Sequence, residues 1–405
     1  MSSICKDQFV NSMDNVPRLH IVHMTQRCNL ACNYCHSSAI PLDAKGRDLE
    51  AYNLEILCDH ILECINLSTK PNVIFFQGGE PLLRLDLIEY ICIYITKRVS
   101  RDKISFCVTT NGTVTSQKAI NLLKKFNFLV TVSLDGPKYI HDRFRTDRIG
   151  NGTYDQVMNG RRLFERCLGA DNVGSIMVIS SDSFAEVKDI ICEYLELGQE
   201  FFKLKFVTKF GLAKKYWPTL NVGYESEVEL LSLSFRYILN LYREGVNIAE
   251  QNLLYFLSNL TGKKIREKDI CWSSPCGLAR KVANYDVDGR IYACHETKRL
   301  RPFLLGDIRD SPVEIYNSTT SEKLRNLSVL TENSVCKSCA HQDYCNPCPA
   351  KSKSEVEDGT YDPSNTEQCS KTKSLYSMMN DLITECGNDL VQSYLEKNGH
   401  YIGAE

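Results

Sequence analysis

The chain has 405 residues, 43% of them apolar and 24% charged, which suits a folded protein of two or three domains and excludes disordered or collagen-like architectures. Its 48 basic and 50 acidic side chains leave a formal charge of −2, so no global field marks it for nucleic acid or an anionic membrane. No apolar run approaches the ~20 residues of a bilayer span, and the opening MSSICKDQFVNSMDN has no apolar signal core, which predicts a cytoplasmic protein without a membrane partner.

Cysteine is the anomaly, with 19 in all. An odd count in a long chain without an export signal does not suit a disulfide scaffold and points to metal or redox chemistry. The cysteines crowd at 28–35 and again at 271–369, implying two metal-rich zones.

An N-terminal segment (1–18) leads into six short β-rich runs, at 19–25, 72–77, 103–110, 128–134, 173–180 and 201–207, separated by stretches long enough for a helix. In the first such stretch Leu54, Leu57, Cys58, Ile61, Leu62 and Ile65 recur at three-to-four spacing, the stripe of an amphipathic helix. Such alternation predicts a parallel sheet, doubly wound or curled into a partial barrel. Four unusual sequences each follow a strand end: the Cys28 to Cys35 loop, Gln77-Gly78-Gly79-Glu80-Pro81, Thr110-Asn111-Gly112 and Asp135-Gly136-Pro137. In βα barrels that rim carries the active site, so their convergence favours an α/β fold with a partial (β/α)6 TIM-like barrel over 19–223. A helical bridge is expected at 224–269, a turn-rich, cysteine-dense domain at 270–372 and a helical segment at 373–405.

Cys28, Cys32 and Cys35 form C-x3-C-x2-C. Three thiolates on one loop can each hold one iron of a cubane cluster and leave the fourth iron open. Zinc would want a fourth ligand, and His36 sits too close in sequence to Cys35 to complete a tetrahedron easily. This spacing, with Tyr34 before the third cysteine, resembles the radical S-adenosylmethionine (radical SAM) superfamily. Gly78-Gly79-Glu80-Pro81 matches that family's second-strand motif, which engages the cofactor's amino group; glycines let the backbone approach, and Glu80 either accepts from an ammonium or caps the backbone.

The run from Ser133-Leu134-Asp135-Gly136-Pro137 through His141-Asp142 and Arg145 to Gly150-Asn151-Gly152-Thr153 is similar to a narrower group, sulfatase-maturating enzymes and peptide maturases. The resemblance implies that Ser133 meets the ribose and Arg145 the cofactor carboxylate, with Thr110 and Asn111 lining the same pocket. The plainer alternatives are a solvated arginine beside Arg143 and Arg148, and an ordinary turn at Thr110-Asn111-Gly112.

In the second zone, the knuckles of Cys336-x2-Cys339-x5-Cys345-x2-Cys348 stand too close for a zinc ribbon. With Cys276-x12-Gly289-x4-Cys294 before them and Cys369 after, they resemble the SPASM domain, which carries two further four-iron clusters; the last spacing is x2 where that family usually has x3. Two protein-ligated cubanes need eight thiolates, and Cys271 brings the zone to that number. The family pattern implies Cys271, Cys276, Cys294 and Cys348 for one cluster and Cys336, Cys339, Cys345 and Cys369 for the other, with Cys386 as substitute. The expected cofactors are therefore three [4Fe-4S] clusters and S-adenosyl-L-methionine. Cys5, Cys58, Cys64, Cys92, Cys107, Cys167 and Cys192 stand singly and read as small core residues or, for Cys5, a terminal one.

The resemblance implies an enzyme that makes a 5′-deoxyadenosyl radical and takes hydrogen from a peptide. Sulfatase maturases typically place an aspartate directly after Gly-x4-Cys as base, whereas this chain has His295, in Cys294-His295-Glu296. That departure favours an oxidative crosslink, carbon–carbon or thioether, in a ribosomally made peptide. Formylglycine formation in a sulfatase is the alternative, and a non-catalytic iron–sulfur electron carrier is a third reading. His295 and Glu296 are the candidate bases, although a histidine there also suits hydrogen bonding to a sulfide or the backbone. Lys203, Lys205 and Lys209 share a face of the sixth run, either for an acidic peptide or as a solvated edge. Expected partners are the precursor peptide and an electron donor such as flavodoxin or ferredoxin. With 27 residues before Cys28, too few for a separate leader-recognition domain, leader binding falls to the barrel, another surface or a separate protein.

Overall fold

The computed structural model describes residues 16–45, 48–263, 271 and 274–402. Cys5 and most of the 1–18 segment lie outside the described residues, as do positions 264–270 around the expected domain boundary and positions 403–405. Five strands, β1 (Leu19–His23), β2 (Asn72–Gln77), β3 (Ile104–Thr110), β4 (Leu129–Ser133) and β5 (Val173–Ile176), run parallel and in sequence order. Helices α1 (Ala51–Leu67), α2 (Leu85–Thr96), α3 (Gln117–Lys125), α4 (Lys138–Phe144) and α5 (Tyr154–Leu168) occupy the connections. The sheet does not close. Alternation along the strands sorts the side chains: Ile74 and Phe76, Phe106 and Val108, and Val130 and Val132 are buried against α1, α2, α3 and α5, and the rings of Phe106 and Phe128 stack at 5.6 Å. Residues of the opposite face, among them Gln77, Thr109 and Ser133, stay half-buried and line the open inside of the sheet. The whole stripe read for the first helix is buried, as are Cys58, Cys64 and Cys92; Cys107, Cys167 and Cys192 are half-buried.

The sixth run departs from a regular strand. Only β6 (Phe201–Phe202) is extended, and it pairs with β7 (Ala249–Glu250), meeting the fifth run through a single bridge, Ile179 to Phe206. The cause lies along β5, where the Gln199 side chain takes the edge a longer sixth strand would have paired with: Ser175 N–H donates to Gln199 Oε1 at 3.0 Å and Gln199 Nε2 donates to Ser175 O at 3.1 Å. Phe202 and Leu204 are buried and Phe206 half-buried, with the intervening lysines more open.

The sheet grows on its other side. β8 (Val282–Tyr285) pairs parallel with β1, Leu19 opposite Val282, and β9 (Arg290–Tyr292) and β10 (Leu304–Asp307) follow antiparallel, so the cysteine-dense segment extends the same sheet. A second core joins α6 (Val187–Glu196), α7 (Ala213–Leu220), α8 (Tyr224–Arg243) and α9 (Gln251–Leu260) to the C-terminal helices. The single closing helical stretch expected there is two helices, α10 (Glu367–Cys386) and α11 (Asn388–Asn398), because Gly387 at φ 86° turns the chain between them. No helix among the described residues is long and apolar enough to cross a membrane.

One close approach sets the geometry of the rim. Gly79 N–H donates to Thr25 O at 2.7 Å and Glu80 N–H to Arg27 O at 2.8 Å, zipping the loop after β2 to the loop that enters Cys28. A Cβ on Gly79 would lie 2.1 Å from Arg27 O, and one on Gly78 2.4 Å from Thr25 O. Gly79→Ala is therefore expected to cost about 1–3 kcal/mol, as overpacking does. Urea denaturation reads the loss as a lower midpoint, and iron analysis should show the first cysteine loop underloaded.

Candidate active site

Cys28 is buried and Cys32 and Cys35 half-buried on the loop after β1. The Cys28 sulfur accepts from Leu30 N–H at 3.3 Å and from Asn111 Nδ2 at 3.6 Å, while its carbonyl accepts from Arg148 Nε and Nη2 at 3.1 and 2.9 Å. Arg148, which the sequence offered only as one arginine among several, thus anchors the loop. Gly211 presses on the loop's other end: its Cβ would lie 2.3 Å from both Cys35 O and His36 O, and Leu212 N–H donates to Cys35 O at 2.9 Å. Burial pushes the Cys28 thiol up to about 12, helped by the Glu80 charge, and Cys32 up to about 11 against the opposing Arg145. Sites that hold their thiols protonated become thiolate ligands only when a cation displaces the protons.

Glu80 is fully buried and spans two strands. Its Oε1 accepts from Leu82 N–H at 3.1 Å and the Thr110 hydroxyl at 2.8 Å, and its Oε2 from Asn111 N–H at 2.8 Å. Of the two roles open to it, backbone capping is the one visible here. Thr110 is spent on Glu80, and the Asn111 amide bridges Cys28 Sγ and, at 2.9 Å, Asn29 Oδ1. Tyr34 donates its hydroxyl hydrogen to the buried Asp135 and accepts from Arg145 Nη1 at 2.7 Å. Arg145 is 8% exposed, which removes the solvated reading, and its buried Nε has no partner. His141 and Thr153 brace it: Thr153 Oγ1 lies 3.2 Å from His141 Nε2 and donates to Arg145 O at 2.7 Å. Ser133 stands half-buried at the end of β4, on the open inner face.

The second zone gathers its cysteines in two sets. Burial raises Cys294 well above the usual thiol range, and the charges that add to this are those of Cys348, Cys276, Glu296 and Cys271. Burial likewise pushes Cys345 up to about 12, with Cys369, Cys336 and Cys339 adding. Cys386 lies half-buried on α10 and enters neither set. Among the described residues no three cysteines are drawn tightly enough for one ion; the only such group is His36, His295 and Glu296. Wider spacing suits polynuclear clusters better than a tetrahedral zinc, whose short Zn–S bonds of about 2.3 Å would pull the sulfurs together.

That trio lies where the two zones meet. His36 Nε2 is 2.9 Å from Glu296 Oε2, the His36 and His295 rings stack at 4.8 Å, and Thr208 Oγ1 donates to Glu296 at 3.4 Å. Burial, aided by the His36 charge, pushes His295 down to about 3. Burial alone would raise Glu296, but His36 overrides it and Lys205 assists, holding the carboxyl well below its usual range. Nearby, Lys298 Nζ sits 3.1 Å from His23 Nδ1, and burial lowers this lysine to about 8. His36 was weighed in the sequence only as a fourth zinc ligand and set aside, and Thr208, Lys298 and His23 were not singled out. Their partners stand in remote segments, and no local spacing announces them.

Residues 22–191 match the radical SAM superfamily, and residues 276–340 match SPASM, an iron–sulfur cluster-binding domain. The chain belongs to the radical SAM/SPASM enzymes. It is 26% identical to a serine-type anaerobic sulfatase-maturating enzyme of Bacteroides thetaiotaomicron, over 82% of each chain. It is 24% identical to a cysteine-type enzyme of Clostridium novyi, over 84% of this chain and 89% of that one. Native anSMEcpe with bound AdoMet shares its fold with a TM-score of 0.74, at 22% identity over 92% of this chain and 100% of that one. Streptococcus suis SuiB bound to precursor peptide SuiA does so with 0.61, at 14% identity over 85% and 74%. The two domains imply [4Fe-4S] clusters and S-adenosylmethionine. This radical SAM/SPASM enzyme fits them: a three-thiol loop with no fourth cysteine beside it among the described residues, two wider cysteine sets, and the unpartnered Arg145 Nε on the guanidinium that meets Tyr34 of that loop.

Burial raises Glu80 to about 7 from 4.5. A folded-state value above the unfolded one means that stability is fully present below pH ~4.5 and declines as pH rises through ~7. Denaturation of wild type and Glu80→Gln across that range should show wild type losing stability with rising pH relative to the variant. A flat difference would contradict the assignment.

Proposed function

We propose that this radical SAM/SPASM enzyme removes two hydrogens from a ribosomally made peptide and closes an intramolecular crosslink between two side chains, or between a side chain and a backbone carbon. The observation that carries the reading is the His36–His295–Glu296 group, at the position where sulfatase maturases place an aspartate. When bound, S-adenosylmethionine and the clusters supply a 5′-deoxyadenosyl radical to take one hydrogen atom and a place for one electron. The polypeptide must take the remaining proton. Glu296 is held ionised and His295 neutral, so each carries a free lone pair for it; with both pKa values pushed down, each is a weak base that relays the proton onward rather than storing it. Lys205 adds positive charge on the same side, which favours an acidic or carbonyl-rich peptide segment near Glu296. Flavodoxin or ferredoxin suits the reductant's role, and a separate leader-binding protein remains compatible with this site.

The cysteine sets support three four-iron clusters. Replacing Cys28, Cys32 and Cys35 together with alanine should remove one of the three and abolish 5′-deoxyadenosine formation. Arg145→Lys keeps a charge opposite Asp135 but loses the planar fork, and should weaken S-adenosylmethionine binding by about 1.5–3 kcal/mol, roughly 10- to 150-fold, with iron content unchanged. Equilibrium binding to the reconstituted protein measures both.

A second reading, formylglycine formation in a sulfatase, is favoured by the length over which the chain matches sulfatase-maturating enzymes. Oxidising a serine also removes two hydrogens, so mass alone does not separate the readings. Coexpression with a precursor peptide encoded nearby should give a product lighter by two hydrogens, resistant to sequencing across the linked residues and inert to a hydrazide probe. A hydrazide-reactive aldehyde in a sulfatase would instead establish the second reading. A His295→Ala, Glu296→Ala double variant should lose the product.

A further inference from the structure

Tyr361 lies in the gap between the Cys348 knuckle and Cys369, a stretch to which the sequence assigned nothing. It lines a surface cavity of about 930 Å³ together with Leu327, Val329 and Asn333. Hydrogen bonds link its surroundings to both cysteine sets. On one side, Ser328, flanked by two of those lining residues, accepts from Cys276 N–H at 3.0 Å. On the other, Asn333 donates to Asp362, next to Tyr361, at 2.9 Å and accepts from Cys336 N–H at 2.9 Å. One end of the tyrosine's surroundings is thus tied to each set.

Its hydroxyl is buried and has no hydrogen-bond partner among the polypeptide's groups. A buried phenol normally finds one, and leaving it without one is costly. The missing acceptor is explained if it is a sulfur that the polypeptide does not carry. Burial raises the Tyr361 hydroxyl far above its usual range, and of the thiolate charges that add to this, Cys348 and Cys276 weigh more than Cys345 and Cys336.

We propose that the Tyr361 hydroxyl donates a hydrogen bond to an inorganic sulfide of the cluster held by Cys271, Cys276, Cys294 and Cys348, and so tunes that cluster's potential from between the two sets. The inference rests on the two-cluster reading of the second zone. Hydrogen bonds to cluster sulfurs stabilise the reduced, more electron-rich state and raise the potential. The tyrosine is a positioning and tuning residue, not a catalytic one.

Tyr361→Phe keeps the ring and its packing and removes only the hydroxyl. Wild type and variant, both fully reconstituted, are titrated potentiometrically with electron paramagnetic resonance detection, the first cluster's signal being identified by its response to S-adenosylmethionine. One of the other two couples should move to more negative potential in the variant while the remaining couples stay in place. Wild type unfolded, refolded and reconstituted in D₂O, so that the buried hydroxyl carries a deuteron, should also show that deuteron coupled to the shifted signal, and the variant should lack it. Unmoved couples, a common shift of both auxiliary couples, or a deuteron coupling that persists in the variant would overturn the proposal. Iron for fewer than three clusters in wild type would instead overturn the two-cluster reading beneath it, so the two failures are distinguishable.

Discussion

The rim of this barrel depends on the contact between two loops that have no room for side chains. Thr25 O and Arg27 O accept from Gly79 and Glu80, and the position of Cys28 follows one residue later. Because the loops touch backbone to backbone, Glu80 is carried inward to reach Leu82, Thr110 and Asn111 at once. Asn111 then returns to the Cys28 sulfur. The three strands are therefore tied into one ring of hydrogen bonds around the first cysteine, and a displacement of any one of them is felt at the metal loop.

Charge is arranged as tightly as the backbone. The buried thiols of both zones resist ionisation on their own, so ligand formation must be driven by the iron that displaces their protons. Around them the protein sets groups with fixed protonation. Arg145 stands against Tyr34 and Asp135, and Glu296 against His36. The site thereby carries an ionised carboxylate beside one imidazole and a guanidinium beside a buried phenol and carboxylate.

Much of this was legible in the chain. The β-rich runs and the stripe of α1 follow simple periodicity, and motifs confined to single loops, such as Cys28 to Cys35 and Gly78 to Pro81, announce themselves by spacing. What escaped has a common physical character. The sixth run has strand composition, yet the Gln199 side chain takes the Ser175 backbone groups that would have continued the ladder. The trio of His36, His295 and Glu296 joins residues far apart in sequence, and Arg148 reaches the Cys28 carbonyl from a loop whose arginines look interchangeable. Period and spacing report what neighbours do; they carry no information on which remote side chain wins a buried acceptor.

The parallel pairing of β1 with β8 has a consequence for how the molecule is made. The first strand to leave the ribosome has β2 on one side, but its other edge stays bare until Val282 to Tyr285 have been synthesised. During that interval the nascent chain carries an unpaired apolar edge beside an empty, oxidation-sensitive cysteine loop, the kind of exposure that invites misassociation. The barrel thus cannot finish folding before the segment bearing the later cysteines arrives. Partial chains that end before β8 therefore keep the β1 edge exposed, and they are the species a chaperone would hold.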